Sequence, residues 1–254
     1  MLILLSPAKT LAPAAPSGME LSSPALLRDA QSIVSVLKTW TLEDTQRTLG
    51  LSDKLAVTVH QWHQDWRADA TAAAGWTFKG DAFKSLDLPS LPADALRRAQ
   101  SSLCILNGVY GLLRPLDAYA PVRLEMGQAW SHAPDVKTMA AFWKTRLPEA
   151  VALAKRQSGH DLVLNLASAE YGDVALHGWD QGPVVTCAFL ENRGGTLKSI
   201  SSFAKSARGA MARHVLTKGI ERPEALDSFS ELGYVLDPEQ SSENHKVFVR
   251  TLTP

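Results

Sequence analysis

The stretch Met1-Leu2-Ile3-Leu4-Leu5-Ser6-Pro7-Ala8-Lys9-Thr10 decides the fold. A short apolar run that a Ser-Pro pair ends is typical of a β-strand buried on both faces. In α/β proteins, ligands often bind at the loop that follows such a strand. Lys9 offers a compact positive charge and Thr10 a hydroxyl, and both suit a phosphate or a carboxylate. The alternative is an ordinary loop lysine.

Composition describes an ordinary globular protein with a sizeable core. The chain has 254 residues, of which 45% are hydrophobic and 20% charged. Lys and Arg together number 26, as do Asp and Glu, so the formal net charge is zero. Bulk charge therefore indicates neither a nucleic-acid nor a membrane partner, and any basic surface must come from local clustering. The two cysteines, Cys104 and Cys187, lie in apolar runs and are expected to be buried free thiols.

The sequence predicts a cytoplasmic protein without a membrane partner. The apolar N-terminal run is only five residues long and lacks the basic start of a signal peptide. No apolar run approaches the length of a transmembrane helix.

Helical and strand patterns are mixed along the chain, which predicts a single α/β (mixed α+β) domain over residues 1–254. Strands do not simply alternate with helices, and neither GxGxxG nor GxxxxGK[ST] occurs, so a doubly wound Rossmann sheet is not expected. The predicted strands are residues 2–5, 162–166, 184–190, 197–203 and 247–251. The predicted helices are residues 24–37, 52–66, 94–106, 135–157 with a bend at Pro148, and the second half of 203–216.

A glycine-flanked turn, Asn107-Gly108-Val109-Tyr110-Gly111, follows the third predicted helix, and Arg114 comes shortly after it. Glycine adopts backbone angles that other residues avoid and lets a second backbone come close. Such a turn between helices can aim backbone N–H groups at a phosphate. The alternative is a plain helix-ending turn.

Three further motifs suit anion binding. Lys79 lies beside a glycine in Phe78-Lys79-Gly80-Asp81, although surface-turn lysines are common. Arg123 offers a planar fork to phosphate oxygens, and Glu125 could orient it or act as an acid or base; a structural Arg–Glu pair is the alternative. Ser168 and Glu170 follow a predicted strand, where they either line a cleft or only cap a helix.

The helix around Gly209 carries a basic face. Arg208 lies about 60° to one side of Lys205 and Arg213 about 80° to the other, with Gly209 and Ala212 between them. The face lacks interleaved acidic residues and has a smooth floor of small side chains. A polymer backbone could therefore lie close to it, while a solvated helix face remains the alternative.

No metal site or cofactor is expected. His60 and His63 could lie on one helix face, but Trp62 and Trp66 beside them indicate packing, and no third ligand is near in sequence. No Ser-His-Asp or Cys-His triad can be assembled from the sequence.

Together these segments resemble the YaaA family of bacterial peroxide stress proteins. The resemblance runs in order through residues 1–10, 52–55, 78–81, 106–117, 123–127, 165–171 and 205–213, with Gly233-Tyr234 following. It implies a mixed α/β domain of unusual fold with a positively charged cleft and a helix-hairpin-helix-like element, which falls at residues 107–111. It also implies binding to duplex or distorted DNA, action during hydrogen peroxide stress, and a lower level of unincorporated iron.

The leading hypothesis is therefore a sequence-tolerant DNA-binding protein of the peroxide stress response that limits iron-linked (Fenton) damage. The candidate DNA- or phosphate-binding residues are Lys9, Thr10, Lys79, Asn107, Gly108, Gly111, Arg114, Arg123, Ser168, Lys205, Arg208 and Arg213. The alternative is an enzyme that acts on a phosphorylated or nucleotide-like small molecule, with Glu125 and Glu170 as candidate proton-transfer groups. An iron scavenger is a weaker third option, and the sequence leaves the oligomeric state open.

Overall fold

The computed structural model describes residues 1–133 and 136–251, and a mixed eight-stranded sheet lies at its centre. The strand order is β3-β2-β1-β6-β7-β10-β9, and β8 pairs with β7. A separate hairpin pairs β4 with β5. The strands are β1 Leu2–Leu5, β2 Leu103–Asn107, β3 Gly111–Leu113, β4 Ala129–Ala133, β5 Val136–Thr138, β6 Val163–Asn165, β7 Val184–Arg193, β8 Thr196–Lys198, β9 Val235–Leu236 and β10 His245–Thr251.

The inner strands β2, β1, β6, β7 and β10 are parallel, and the strands at the edges are antiparallel. Every residue of β1 and β2 is buried. Continuous apolar runs of this kind suit parallel strands that are covered on both faces. The predicted strand at residues 2–5 is therefore confirmed, and it lies inside the sheet.

Ten α-helices complete the described part of the chain, together with short 3-10 turns. They are α1 Leu27–Leu37, α2 Leu42–Leu49, α3 Asp53–Asp65, α4 Ala74–Thr77, α5 Asp81–Leu86, α6 Ala93–Ser102, α7 Met139–Trp143, α8 Leu147–Gln157, α9 Ala169–Ala175 and α10 Ser201–Lys218. Within the described residues, no helix is both long and apolar enough to cross a membrane.

The longest of these helices, α10, packs on α5, α6 and β7. Its approach to α5 depends on Gly209. A Cβ atom at this position would lie 1.9 Å from the carbonyl oxygen of Ala82. Only glycine lets the two helix backbones come so close. This contact fixes the basic residues of α10 relative to those of α5.

The connections place a topological switch point beside β1. From β1 the chain passes through α1–α6 to β2 on one side, and it later reaches β6 on the other side of β1. Loops that leave neighbouring parallel strands in opposite directions open a crevice at the carboxyl edge of the sheet. The long excursion between β1 and β2 also confirms one mixed α/β domain without simple strand–helix alternation.

The helix predicted at residues 94–106 is wrong in its last turn. α6 ends at Ser102, and residues 103–107 form β2. Leu103 and Leu106 suit a helical stripe, but the whole apolar run pairs with β1 along one edge and with β3 along the other, and all of its side chains are buried. Residues 107–111 consequently join two antiparallel strands. The expected helix-hairpin-helix at these residues is therefore wrong.

Other element boundaries also differ from the prediction. Residues 136–138 form β5 instead of the start of a helix, and Asp135 lies outside the described residues. Pro148 lies in the first turn of α8, where its missing N–H costs nothing, so it marks a helix start and not a bend. The strand predicted at 197–203 ends at Lys198, because α10 already begins at Ser201.

Helix starts in the N-terminal third differ too. α1 begins at Leu27 and not after Ser23, and Ser52 precedes α3 without a side-chain capping bond. The predicted helices do not include α2, although Thr41 and Asp44 form a reciprocal capping box at its start. This signal is readable in the sequence, since an N-cap threonine with an acidic residue three positions later is typical of a helix N-terminus.

Candidate functional site

A cleft of about 500 Å³ opens at the carboxyl edge of the sheet, where the loops after β1 and β6 diverge. We call it the switch-point cleft. Its walls come from residues 5–11, 79–84, 122–125 and the loop between β6 and α9, with α10 on one side. It brings together ten of the residues singled out in the sequence: Lys9, Thr10, Lys79, Asn107, Arg123, Glu125, Ser168, Glu170, Lys205 and Arg208.

A pair of serines ties the two diverging loops together. The Ser6 hydroxyl oxygen accepts a hydrogen bond from the Ser168 backbone N–H at 2.8 Å, and the two side-chain oxygens lie 3.1 Å apart. No side-chain capping bond is formed by Ser168 at the start of α9. Its side chain thus serves the cleft wall instead of the helix terminus.

Glu125 links two of the basic residues. Its Oε1 atom lies 3.3 Å from Arg123 Nε and 3.5 Å from Lys9 Nζ. Arg123 is largely enclosed, with a side-chain exposure of 15%, whereas the Lys9 side chain is 66% exposed. The structural Arg–Glu pair is therefore present, and Glu125 fixes the direction of the Arg123 guanidinium.

Glu170 supports the same wall from the other side. Its Oε1 atom accepts a hydrogen bond from the Gly127 backbone N–H at 3.0 Å. This bond holds the turn that follows Glu125 against the start of α9. Both carboxylates thus lie at the cleft and already have partners, so each acts as a structural link in this arrangement.

Four cationic side chains around the cleft have no such link. Within residues 1–133 and 136–251, no ion pair or hydrogen bond engages the side chains of these four: Lys79, Lys84, Lys205 and Arg208. Arg208 is half-buried, and the loss of solvent lowers the pKa of its guanidinium. A partly desolvated cation without a carboxylate is costly, and an anionic ligand would offset that cost.

The floor of the cleft has the opposite character. It is formed by buried apolar and aromatic side chains, namely Phe83, Tyr119, Val122, Leu124, Leu166 and Tyr171. Burial raises the pKa of the Tyr119 and Tyr171 hydroxyls above the ordinary value, so both stay protonated at neutral pH. The cleft therefore combines a cationic rim with an apolar floor.

The glycine-flanked turn does not present its backbone to a phosphate. The Asn107 side-chain oxygen accepts hydrogen bonds from the N–H groups of Val109 and Tyr110 at 2.8 and 3.0 Å, and the turn is buried. A Cβ atom at Gly108 would lie 2.1 Å from the Leu124 carbonyl oxygen. Gly111 has a φ of 66° and packs against Trp143. Gly108 thus lets the turn pack closely on the cleft wall at Leu124, whereas Gly111 serves packing against Trp143 outside this cleft.

Two predicted arginines lie elsewhere. Arg114 donates to Gln157 at 3.3 Å and lines a second cleft of about 490 Å³. That cleft balances two arginines against three carboxylic side chains: Arg114 and Arg146 against Asp29, Asp117 and Glu149. Arg213 donates to the carbonyl oxygens of Leu86 and Asp87 at the end of α5, at 2.9 and 3.0 Å. Neither side chain lines the switch-point cleft.

The histidines and cysteines show no redox or metal constellation in the described residues. His63 is buried, and burial lowers its pKa to about 4; its Nε2 lies 3.1 Å from the Arg123 carbonyl oxygen. No group of three His, Cys, Asp or Glu side chains in this part of the chain is placed to hold a metal. Burial raises the pKa of Cys104 and Cys187 to about 12, and protonated thiols react poorly with peroxide.

One Ser-His-Glu contact that the sequence did not suggest occurs away from the cleft. His214 Nδ1 lies 2.7 Å from Glu231 Oε1, and His214 Nε2 lies 3.2 Å from the Ser228 hydroxyl. That hydroxyl also donates to the Ala225 carbonyl oxygen at 2.8 Å. The group anchors the 3-10 segment Pro223–Ser228 to α10.

The sequence profile of the family described as peroxide stress protein YaaA matches residues 1–240. The chain belongs to the YaaA family. A UPF0246 protein of Shewanella baltica (strain OS223) is 39% identical over 255 residues, which cover 98% of this chain and 99% of the relative. UPF0246 proteins of Shewanella loihica and Cereibacter sphaeroides are each 38% identical, over 98% of this chain and 98% and 99% of their own lengths.

The YaaA match contains every residue of the switch-point cleft. Sequence reasoning missed Lys84 and the apolar floor of this YaaA-family cleft. Lys84 lies five residues after Lys79 on a short helix, and no local pattern marks it. The floor residues are separated by up to 88 positions, from Phe83 to Tyr171, so only the fold brings them together.

Proposed function

We propose that this YaaA-family protein acts in the peroxide stress response by binding DNA through phosphate contacts at the rim of the switch-point cleft. The observation that carries the proposal is a set of four cationic side chains around one cleft that have no partner among the described residues: Lys79, Lys84, Lys205 and Arg208. The family's description as peroxide stress protein supports the physiological setting.

Local clustering supplies the charge that the whole chain lacks. The cleft lining holds six Lys and Arg side chains but only three Asp and Glu side chains, although the full sequence is balanced at 26 of each. Lysine and arginine contacts to phosphates carry no sequence information. We therefore infer sequence-tolerant binding that weakens as salt rises.

The same contacts suggest how DNA would be spared iron-linked damage. A protein that neutralises DNA phosphates releases the cations condensed around them. Iron(II) held at the phosphates would be displaced together with other cations, so hydroxyl radicals would form farther from the DNA. Nicking of DNA by iron(II) and hydrogen peroxide should accordingly decrease when the native protein is bound.

The test is DNA binding by fluorescence anisotropy across a range of salt concentrations. In Lys205→Ala/Arg208→Ala, two phosphate contacts are lost, and the slope of log affinity against log salt should become shallower by about 1.8 on duplex DNA. Lys218→Ala is the matched control, because Lys218 is an exposed lysine of the same helix outside the cleft.

The control variant should keep the native slope and affinity. Thermal unfolding of each variant shows whether the fold is retained. An unchanged salt slope in a folded double variant would remove the cleft from the DNA contact surface. Protection against nicking should be lost in the same double variant.

A second candidate function is supported by the enclosed floor of the cleft. A pocket of this size with buried aromatic side chains and a few polar groups is typical of a small-molecule site. An enzyme that acts on a phosphorylated or nucleotide-like compound would place the phosphate at the same rim and use Glu125 for proton transfer. Isothermal titration of nucleotides into the native protein tests this function. It would be favoured if a nucleotide binds, if Arg208→Ala no longer binds that nucleotide, and if the native protein has no affinity for DNA.

A further inference from the structure

We propose that the switch-point cleft receives a single unstacked nucleotide of the bound DNA, with its phosphate at the cationic rim and its base on the apolar floor. This inference rests on the proposed DNA binding. It adds the form of the substrate: a nucleotide that has left the base stack, as at a bulge or another distortion.

The size of the cleft is the first observation that points to a single nucleotide. Its volume of about 500 Å³ lies within the roughly 300–1,000 Å³ of sites that enclose one small molecule. A duplex cannot enter such a space, because it has two strands and is wider than its own major groove, which alone is about 12 Å across. A nucleotide turned out of the stack is the part of a DNA chain that fits.

The second observation is the change from an apolar floor to a charged rim within the cleft. The floor side chains Phe83, Tyr119, Leu124 and Tyr171 are each less than 9% exposed, whereas Lys9 and Lys205 at the rim are exposed. A nucleotide has the same gradient, since its base is flat and largely apolar on its faces and its phosphate is charged. Aromatic side chains are also the usual platform on which unstacked bases rest.

The third observation is the burial of Arg208, which lines the cleft and is less exposed than Lys9 and Lys205. It is half-buried and unpaired within the described residues, unlike Arg123, which Glu125 engages. Its helix packs closely on α5 at Gly209, which fixes the backbone that carries Arg208 beside the cleft. A cation at this depth can meet the phosphate that follows the base inward, where lower solvent access strengthens the contact.

The experiment compares three duplexes that differ at one position: fully paired, with one bulged nucleotide, and with the same bulge lacking its base. Unpairing is already complete in the bulged duplex. We expect that duplex to bind about tenfold more tightly than the paired one, a factor that corresponds to roughly 1.4 kcal/mol. The duplex with the abasic bulge should lose most of this gain, because nothing reaches the floor.

A blocking variant tests the location. Ala8 lines the cleft and is half-buried, so Ala8→Phe should fill the space and remove the preference for the base-bearing bulge. Ala93→Phe is the matched control, since Ala93 is an exposed alanine at the start of α6 outside the cleft. The abasic comparison uses the native protein alone, and it therefore decides the question even if Ala8→Phe does not fold.

The outcomes separate this inference from the proposed function. Equal affinity for the base-bearing and abasic bulges, with normal salt-dependent duplex binding, overturns the unstacked nucleotide and leaves DNA binding intact. Absence of binding to all three duplexes overturns both. A free nucleoside monophosphate (deoxyadenosine monophosphate is the probe) that binds more tightly than the bulged duplex overturns the inference in favour of a small-molecule site.

Discussion

Replacing Gly209 by alanine tests the helix contact that shapes the cleft. Helix propensity predicts that this change raises the free energy of unfolding, whereas packing predicts that it lowers it. In an isolated helix, the change from glycine to alanine stabilises by about 1 kcal/mol. In this structure the new Cβ atom would lie 1.9 Å from the Ala82 carbonyl oxygen and 2.6 Å from its carbonyl carbon. Separations under 3.0 Å are essentially never seen, so α10 and α5 must move apart by about 1 Å.

The expected result is a net loss of stability. Overpacking of a filled interior costs about 1–3 kcal/mol, and the obstructing atoms here are backbone, which cannot rotate away. Taking the upper part of that range against the propensity gain gives a destabilisation of about 2 kcal/mol. Because α10 carries Lys205 and Arg208 while α5 carries Lys84, DNA affinity should fall together with stability.

Urea unfolding followed by circular dichroism measures the change in the free energy of unfolding. Ser202→Ala is the control, because Ser202 is exposed on the same helix and its replacement should stay within about 0.5 kcal/mol of the native chain. A Gly209→Ala protein that is more stable than the native chain would refute the close helix contact, and with it the placement of the α10 cations beside α5.

Two further predictions separate structural from binding roles. Arg213→Ala should lose about 1–3 kcal/mol of stability, since two carbonyl oxygens at the end of α5 lose their donor, and its DNA salt slope should match the native one; a shallower slope would return Arg213 to the contact surface. For His63, burial lowers the pKa from 6.5 to about 4, so between these values the unfolded chain binds more protons and native stability falls as pH decreases. His63→Gln keeps a donor for the Arg123 carbonyl oxygen and should remove up to about 3 kcal/mol of this acid sensitivity, measured by urea unfolding at pH 7 and pH 4. Subtraction of the native curve isolates His63 from Asp117, whose pKa burial raises to about 6 and whose effect on stability has the opposite sign; an unchanged pH dependence would contradict the burial of His63.

Much of the fold could be predicted where one pattern dominates. The run Leu2–Leu5, ended by Ser6-Pro7, suits only a buried strand, and the structure places it inside the sheet. The helix prediction is wrong at residues 103–106 because Leu103 and Leu106 fit a helical stripe as well as a doubly buried strand. Only the pairing with β1, about a hundred residues earlier in the chain, selects the strand. A local pattern cannot contain that information.

The basic helix shows why the site was only partly predictable. The helical pattern predicts one basic face from Lys205, Arg208 and Arg213, but Arg208 and Arg213 are five residues apart and so point about 140° away from each other. The close contact at Gly209 turns Arg208 towards the cleft and Arg213 towards the end of α5. Which arginine meets solvent therefore depends on the neighbour of the helix, and the helix sequence alone does not specify it.

The distribution of charge gives the strongest reason to regard the switch-point cleft as a ligand site. Like charges that are brought together repel, and a chain with 26 acidic side chains could have paired each of the cleft cations. Glu125 shows that such pairing is possible in this cleft, since it engages both Lys9 and Arg123. Within the described residues, Lys84 and Arg208 lack that partner although α5 and α10 hold them on backbones in direct contact. Cations fixed in this way need little rearrangement to meet a phosphate. The helix contact that allows only glycine at position 209 therefore also holds these cations in place for an anion.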